Sequence, residues 1–312
     1  MPQTVLLGDP SLFRIKAGGN PHTRDLWGRR KQVDRSKALA QWKGLKSALE
    51  SHGVKVHVLP PVEEQPGSVF PANAGFRYGR NFYLSNLNPA RAGERAYYRR
   101  IIGSLGLTVL DLWSGYPFEG EADFIPVGDP SDDPEKTVYL FTYGWIEEQR
   151  TSFRWGIPPY RRIYGFRSDR RNRSTLESII RPLELLPLRL VQEAHYHGDT
   201  VLYSFGPHRE YLLAYLEGLA PEGRRAFMDR FGDRVIPLSG LDGAQFAANS
   251  FQVFVPRSGE RVPVLFMPDG LTQGLYEKVR SLGVIPCPVD VSEFLEKGGG
   301  AVKCMLLDLG EL

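Results

Sequence analysis

Five strand–turn–strand units recur along the chain, and this recurrence constrains the fold more than any other feature of the sequence. Each unit has an apolar run, a segment of small and polar residues, and a second apolar run. These middle segments occupy residues 67–76, 118–125, 195–202, 246–253 and 298–304, and residues 5–7 supply the last strand of the fifth unit. Radial repetition explains such spacing better than one open sheet. We therefore predict an α/β fold: a five-bladed β/α propeller of ββαβ-type repeats with pseudo-five-fold symmetry, forming a single domain over residues 1–312.

Helical patterns lie between the units and complete the predicted repeats. Apolar residues recur at helical spacing in six segments. These segments are residues 35–52, 93–105, 175–183, 222–231, 270–282 and 291–297. Because helices and strands alternate along the chain, the sequence favours an α/β class over an all-β one.

Composition excludes several classes of protein. Two cysteines in 312 residues argue against a disulfide framework and against a cysteine-based zinc site. The net charge of +3 is too small for the whole chain to be typical of nucleic-acid binders. No run of 18 apolar residues and no secretory signal pattern occur, so we expect no membrane association and a cytoplasmic location. We expect no metal ion and no cofactor, and homo-oligomerisation stays open.

Cys304 is the first candidate nucleophile. It follows a triple-glycine run at residues 298–300 and precedes an apolar strand, and glycine lets a backbone approach a ligand closely. Each of the five units places one polar residue beside its central strand. These residues are Asn73, Glu119, His197, Asn249 and Cys304. In a closed ring these five residues would converge on the axis. Burying unpaired polar groups there would destabilise the fold, so we interpret the cluster as a functional site.

Several short motifs, in order along the chain, resemble those of one superfamily. They comprise residues 69–75 (VFPANAG), Arg91 with Glu94, residues 118–123 (FEGEAD), Arg150 with Thr151, residues 196–200 (YHGDT), residues 246–249 (FAAN), and Ser292, Glu293 and Phe294 before the glycine run and Cys304. With them the chain resembles the pentein superfamily of guanidine-modifying enzymes, and within it the dimethylarginine dimethylaminohydrolase, arginine deiminase and amidinotransferase group. Singly each motif is weak, whereas together they cover nearly the whole chain.

The resemblance implies a role for each candidate residue. Cys304 would attack a guanidino or ureido carbon to form a thiouronium-type intermediate, and His197 would protonate the leaving amine and then deprotonate water. Glu119 would orient or charge-stabilise the imidazole, and Asp199 would bind the substrate nitrogens. Arg91 and Arg150 stand where contacts with the substrate carboxylate are expected. Asn73 and Asn249 are further candidates for substrate binding, and Asn249 could equally be a turn amide.

Two departures from the family pattern leave alternatives open. Many arginine-handling relatives carry an acidic residue at the position of Asn73, and an amide there suits a neutral ureido group at least as well as a guanidinium. The spacing in residues 119–123 also leaves open whether Glu119 or Glu121 faces the histidine. We favour Glu119, because it directly follows Phe118 as the strand begins.

An arginine-rich insertion at about residues 152–181 fits neither the repeats nor the motifs. Nine arginines lie between residues 150 and 181, interleaved with aromatic residues. Such a segment can bind single-stranded nucleic acid, pair with the acidic residues 129–135, or cover a cleft. Pairing with the acidic residues is the interpretation we prefer.

The preferred function is therefore a cysteine-dependent hydrolase of a carbon–nitrogen bond in an arginine derivative or ureido compound. One alternative is an amidinotransferase that passes the intermediate to an amine acceptor. The other is a non-catalytic binding protein of the same fold, associated with ribosomes or RNA, since fold does not determine function.

Overall fold

A computed structural model describes residues 2–16, 18–128, 137–146, 150–153, 160–181, 183–257 and 259–312, with the backbone alone at 150–153, 160 and 161. The strands in this part of the chain are β1 Gln3–Gly8, β2 Lys55–Leu59, β3 Gly75–Tyr78, β4 Asn81–Leu84, β5 Thr108–Asp111, β6 Phe124–Val127, β7 Val138–Tyr143, β8 Arg150–Phe153, β9 Tyr160–Ile163, β10 Glu184–Arg189, β11 Leu202–Phe205, β12 Tyr211–Ala214, β13 Val235–Pro237, β14 Phe251–Arg257, β15 Glu260–Pro268, β16 Ile285–Val289 and β17 Leu306–Glu311. The α-helices are α1 Arg35–Ser51, α2 Glu94–Ser104, α3 Arg173–Ile180, α4 Pro221–Phe231, α5 Gly240–Ala244, α6 Gln273–Ser281 and α7 Ser292–Gly298.

The described strands form five three-stranded sheets with one topology, plus the separate β8–β9 hairpin. The sheets have the orders β17-β1-β2, β3-β4-β5, β6-β7-β10, β11-β12-β13 and β14-β15-β16. In each sheet the middle strand pairs antiparallel with the first strand and parallel with the third. The mixed α/β class and the five small repeated sheets agree with the sequence analysis.

A helix connects the two parallel strands of every sheet. Parallel neighbours need a crossover connection, and α1, α2, α3, α4 and α6 supply it in the five sheets in turn. In α1 the Asp34 side chain accepts a hydrogen bond from the Lys37 backbone N–H at 3.0 Å and caps the first turn. Ala38, Leu45 and Leu49 then recur on one buried face at helical spacing. Local sequence alone thus determines where this helix begins and which face it buries.

The two ends of the described chain meet in one sheet. The first strand, β1, pairs antiparallel with the last strand, β17, with Leu6 opposite Leu307, and pairs parallel with β2 on its other side. Leu6 and Leu307 are fully buried. This pairing confirms that the N-terminal strand completes the fifth unit.

The loops that lead from one sheet to the next contact each other, and these contacts position the site. Ala72 donates its backbone N–H to the Cys304 carbonyl at 3.4 Å, and Gly198 donates to Asp123 Oδ1 at 2.9 Å. Gly120, with φ of +58°, lies so close to the loop before β3 that a Cβ on it would be 2.5 Å from the Gly75 carbonyl oxygen. The glycine is therefore required both by its left-handed backbone and by the close approach of two loops.

Some boundaries differ from those expected from the sequence. A strand is expected at residues 188–192, but the observed strand is β10 at Glu184–Arg189. Pairing with β7, in which Glu184 lies opposite Val138, sets the position of β10. The arginine-rich segment fits the repeats in part, because α3 is the crossover helix of the third sheet, whereas the β8–β9 hairpin forms a separate sheet. The proposed partners of its arginines, residues 129–135, lie outside the described residues.

Candidate active site

The structure brings together the five polar residues that the repeats single out. Asn73 donates its side-chain N–H to Glu119 Oε2 at 3.1 Å, and His197 Nε2 lies 2.9 Å from the same oxygen. Asn249 donates from Nδ2 to the Cys304 sulfur at 3.1 Å. Asp199, two residues after His197, joins the two groups, because its Oδ2 lies 3.3 Å from the Cys304 sulfur.

Equivalent loops of the five repeats carry these residues. Asn73 lies in a 3-10 turn before β3, and Glu119 and His197 each directly precede such a turn before the next sheet begins. Gly198 packs so tightly on β7 that a Cβ on it would be 2.1 Å from Thr142 Oγ1. The small residues of these motifs therefore let the loops approach one another and turn the polar side chains toward a common point.

His197 and Glu119 form a buried pair. Both side chains are nearly inaccessible, at 5% and 1% exposure. Burial alone would raise the pKa of Glu119, but the hydrogen bond and charge of His197 lower that pKa to about 2. Burial likewise opposes the charge of His197, but the hydrogen bond with Glu119 and the nearby Asp123 carboxylate raise the pKa of His197 above its ordinary value. Glu119 thus favours the imidazolium form of His197, and Glu121 does not contact that ring.

The Asn249 side chain holds the loop that carries Cys304. Asn249 Oδ1 accepts hydrogen bonds from the backbone N–H groups of Ala301 and Cys304, each at 3.0 Å. The thiol itself is buried, with only 3% of Cys304 exposed. Burial, together with the Asp199 charge, raises the pKa of Cys304 well above the ordinary value for a thiol. Both effects favour the thiol over the thiolate.

Asp199 has one carboxylate oxygen free to bind a ligand. Its Oδ1 is buried and has no hydrogen-bond partner among the described residues, whereas its Oδ2 contacts the Cys304 sulfur. Burial raises the pKa of Asp199 to about 6, although His197 and Lys303 oppose that rise. A buried acceptor without a donor is costly, so a ligand N–H at this position would be stabilising.

Four residues that sequence reasoning did not assign also support the site. Asp123 accepts hydrogen bonds from Ser168 Oγ and Thr142 Oγ1, each at 2.6 Å, in addition to the one from Gly198. Lys303 donates to the Glu121 carboxylate. Asn20 donates to the Tyr196 hydroxyl oxygen at 3.0 Å, and so connects the N-terminal segment to the loop of His197. Asp123 and Tyr196 fall within the recognised motifs and Lys303 directly precedes Cys304, whereas Asn20 lies outside those motifs.

The sequence analysis expects Arg91 and Arg150 to contact the substrate, and the structure describes the side chain of Arg91 alone of these two. Arg91 Nε donates to Glu94 Oε1 at 2.9 Å, and its Nη2 donates to Glu94 Oε2 at 2.7 Å. The same Nη2 donates to the Gly67 and Phe70 carbonyls at 3.1 and 3.0 Å. Arg91 thus braces the loop before Asn73, and its charge helps to lower the pKa of Glu119. The side chain of Arg150 lies outside the described residues.

Other kinds of site are not evident in the part of the chain that the structure describes. No group of three or more His, Cys, Asp or Glu side chains there is arranged to hold a metal ion. No helix among those same residues combines the length and the apolar character that crossing a membrane requires.

Sequence comparison shows that the chain is similar to dimethylarginine dimethylaminohydrolases and to arginine dihydrolases. A family model described as eukaryotic N,N dimethylarginine dimethylhydrolase matches residues 9–140. AgrE from Nostoc sp., a bifunctional arginine dihydrolase/ornithine cyclodeaminase, is 29% identical over 279 residues, which are 89% of this chain but 34% of AgrE. The N(G),N(G)-dimethylarginine dimethylaminohydrolase of Mycobacterium tuberculosis is 26% identical over 280 residues, which are 89% of this chain and 77% of that protein. The chain spans about a third of the length of AgrE and of the similar ArgZ from Synechocystis sp..

Solved structures show the same relationship. The N-terminal domain of ArgZ bound to its product superposes with a TM-score of 0.80 at 26% identity, covering 100% of this chain and 98% of that domain. The same ArgZ domain has been solved covalently bound to a reaction intermediate, with a TM-score of 0.79, 26% identity, and coverage of 99% of this chain and 98% of that one. These similarities relate the chain to members of the pentein superfamily. Within it, the relatives with closely similar structures include the arginine dihydrolase domains of ArgZ and AgrE.

Proposed function

We propose that the chain is a cysteine-dependent hydrolase that cleaves a guanidino or ureido carbon–nitrogen bond of an arginine derivative. The observation that carries the proposal is the position of Asp199. Its buried Oδ1 has no hydrogen-bond partner in the described part of the chain, and its Oδ2 lies 3.3 Å from the Cys304 sulfur. A planar guanidinium that donates hydrogen bonds to this carboxylate would have its central carbon beside the thiol. The family resemblance and the relatives named above support the same reaction class.

The charges of the site favour a cationic substrate. Glu119, Asp123 and Asp199 are buried carboxylates around one imidazole, and the Lys303 ammonium beside them is paired with Glu121. A buried excess of negative charge is relieved by a bound cation, so a guanidinium fits the site better than a neutral ureido group. This charge excess outweighs the preference for a ureido group that Asn73 alone suggests.

The proposed reaction has two steps at one carbon. As the cation binds, the Cys304 thiol loses its proton to solvent, and the thiolate attacks the guanidinium carbon. The carbon–nitrogen bond then breaks while protonated His197 donates a proton to the leaving nitrogen, which leaves an amidino group on sulfur. In the second step, neutral His197 takes a proton from water as the water oxygen attacks the same carbon. The carbon–sulfur bond breaks, the thiolate is restored, and the ureido product departs.

The remaining residues have proposed supporting roles. Asn73 would donate to the substrate or to the attacking water, and Asn249 would hold the Cys304 loop while its amide faces the sulfur. The roles of Arg91 and Arg150 as contacts of the substrate carboxylate stay predictions. We also propose that the five sheets form a closed five-bladed propeller in a single domain over residues 1–312, because the loops from successive sheets contact one another up to the return from Cys304 to Ala72. A cytoplasmic location stays a prediction, and homo-oligomerisation stays open.

A substrate panel tests the proposed function. Purified protein is incubated with arginine, mono- and dimethylarginine, agmatine and citrulline, and release of ammonia, methylamines, citrulline and ornithine is measured. Cys304→Ser serves as the inactive control. Ornithine as an end product would indicate two successive hydrolyses, as the name arginine dihydrolase implies for ArgZ and AgrE, whereas citrulline with dimethylamine would indicate the dimethylarginine reaction.

The same panel separates the alternatives. If product forms only when an acceptor amine such as glycine is added, the chain is an amidinotransferase rather than a hydrolase. If no compound turns over, if Cys304 does not react with a cationic amidine, and if the protein binds RNA in a salt-sensitive way, the non-catalytic alternative replaces the proposal.

A further inference from the structure

The Tyr196 hydroxyl joins the loop that carries His197 to the loop that carries Cys304. It donates a hydrogen bond to the Gly299 carbonyl at 3.0 Å and lies 3.4 Å from the Gly298 carbonyl, and both glycines belong to the run before Cys304. Only 8% of Tyr196 is exposed. Burial raises the pKa of Tyr196 above its ordinary value, so the hydroxyl keeps the proton that it donates.

Asn20 adds the N-terminal segment to the same junction. Its Nδ2 donates to the Tyr196 hydroxyl oxygen at 3.0 Å and to the Gly298 carbonyl at 2.8 Å. Its Oδ1 accepts a hydrogen bond from the Thr23 backbone N–H at 3.2 Å. The amide fits closely, since a Cβ on Gly299 would lie 3.1 Å from Asn20 Oδ1. One phenol and one amide thus connect three segments that are distant in the sequence.

The hydroxyl provides a direct connection between the two catalytic loops that does not involve the reacting atoms. In the described structure, residues 195–200 and 298–304 are joined directly by the Tyr196 hydroxyl and by the contact of Asp199 Oδ2 with the Cys304 sulfur. Asn249 joins them indirectly, because its Nδ2 donates to the Asp199 carbonyl at 3.2 Å and to the sulfur. In the proposed reaction the carboxylate and the sulfur both engage the substrate. The bond from the hydroxyl to the backbone carbonyl persists through these steps.

We propose that Tyr196 is a positioning residue: its hydroxyl, held by Asn20, fixes the loop of His197 and Asp199 at the distance from Cys304 that the reaction needs. The inference rests on the proposed function, because this spacing matters only if these side chains act on one substrate.

A purely structural role is the alternative. The glycine carbonyls lie at the end of α7, and the last carbonyls of a helix need hydrogen-bond donors in any case. The two roles differ in what the loss of the hydroxyl changes. A displacement of about 1 Å between reacting groups can lower a rate by about 10²-fold, whereas an unsatisfied helix end lowers stability.

Two variants and a matched control test the positioning role. Tyr196→Phe removes the hydroxyl and keeps the ring, and Asn20→Ser removes both amide donors but keeps a side-chain oxygen for Thr23. Tyr276→Phe is the control, because Tyr276 is also 8% exposed and its hydroxyl donates to a carbonyl away from the site, that of Pro268, at 3.1 Å. For each protein, kcat and KM are measured with the substrate found by the panel, below its unfolding temperature.

A second measurement needs no turnover. Labelling of Cys304 at pH 7 is followed by peptide mass spectrometry with 2-chloroacetamidine, a cationic amidine, and with iodoacetamide, a neutral reagent. The cationic reagent depends on Asp199 being in place beside the sulfur, whereas the neutral reagent needs only access to the thiol. The ratio of the two rates therefore reports the spacing of the loops, because a general loosening of the fold would raise both rates together.

Tyr196→Phe should lower kcat by roughly 10- to 100-fold and leave KM within about threefold of wild type, because the substrate-binding carboxylate is intact. The ratio of cationic to neutral labelling should fall by about fivefold or more. Asn20→Ser should change kcat and the ratio in the same direction. The double variant should be little worse than Tyr196→Phe, since the two side chains act through one hydroxyl. Tyr276→Phe should keep wild-type kinetics even where it lowers the unfolding temperature equally.

Two results would overturn the inference while leaving the proposed function intact. The first is a folded Tyr196→Phe protein whose kcat and labelling ratio equal those of wild type, which would make the hydroxyl purely structural. The second is a higher KM at unchanged kcat, which would make it a binding group. If Tyr196→Phe does not fold, Asn20→Ser decides by the same criteria. If the wild type is labelled but turns nothing over, the labelling ratio decides, and a wild type that is not labelled either contradicts the proposed function itself.

Discussion

The Cys304 sulfur lies 3.3 Å from a carboxylate oxygen of Asp199. A carboxylate in contact with a thiol disfavours the thiolate, and burial adds to the effect, so the pKa of Cys304 is raised well above its ordinary value. A reactive cysteine needs its thiolate form. Ionisation of the Cys304 thiol is therefore disfavoured, and a cation bound to Asp199 would offset the carboxylate charge that opposes it.

A first prediction concerns this dependence on charge. In a Cys287→Ser background, which leaves one thiol, a neutral reagent such as iodoacetamide should label Cys304 slowly at pH 7, and the rate should increase as the pH rises. A cationic reagent, 2-chloroacetamidine, should label it at least ten times faster at pH 7, because it brings positive charge to Asp199. The labelled residue is identified by peptide mass spectrometry. Equal rates for the two reagents would contradict the prediction.

The second prediction separates the two cysteines. Cys304→Ser should reduce kcat by about 10⁴-fold or more, because a serine hydroxyl is far less ionised and less nucleophilic than a thiol. Cys287→Ser is the matched control, since Cys287 is half-buried in β16 and makes no contact with the site. It should keep kcat within about twofold. A Cys304→Ser variant that retains turnover would remove the covalent mechanism.

Glu119→Gln tests the partner of the imidazole. The variant removes the charge that helps to raise the pKa of His197, so that pKa should fall, and kcat should decrease by roughly 10²- to 10⁴-fold. The His197 pKa is measured by NMR titration of its ring protons. Glu121→Gln is the control, because Glu121 pairs with Lys303 rather than with the histidine. An unchanged His197 titration in Glu119→Gln would contradict the assignment.

The same pair predicts how stability depends on pH. The pKa of Glu119 is lowered to about 2 in the folded protein, so its stabilising effect is present above pH 4.5 and is lost as the pH falls toward 2. The pKa of His197 is raised, so its contribution is present below pH 6.5 and is lost as the pH rises through the folded value. Chemical denaturation at pH 3 and pH 6 should therefore show a smaller loss of unfolding free energy on acidification in Glu119→Gln than in wild type.

A fifth prediction concerns the close approach of the loops. Gly120→Ala places a Cβ about 2.5 Å from the Gly75 carbonyl oxygen and on a left-handed backbone, and should cost roughly 2–5 kcal/mol of unfolding free energy. Gly53→Ala is the control, since Gly53 also has a positive φ, of +79°, but open space around it. It should cost only about 1–2 kcal/mol. Equal losses in urea denaturation would show that the contact between the loops is unimportant.

Much of the architecture could be predicted because it depends on local patterns. Residues that are neighbours in the sequence determine the apolar face of α1, its cap at Asp34, and the alternation of strand and turn. The pairing of β1 with β17 also follows, since a repeat that lacks its last strand must find it at the other end of the chain. Strand boundaries such as that of β10 were less predictable, because register is determined by the partner strand.

The sequence by itself determined the five repeated units, the superfamily motifs, and the residue types that one loop of each unit carries. Only the tertiary structure decided that Glu119 and not Glu121 contacts His197, that Arg91 is held by Glu94, and that Lys303 pairs with Glu121. The physical reason is that a side chain's neighbours and the field around it arise from segments far apart in the chain. The Glu121 carboxylate contacts the Lys303 ammonium, and a sequence motif does not show which distant residue a side chain will contact.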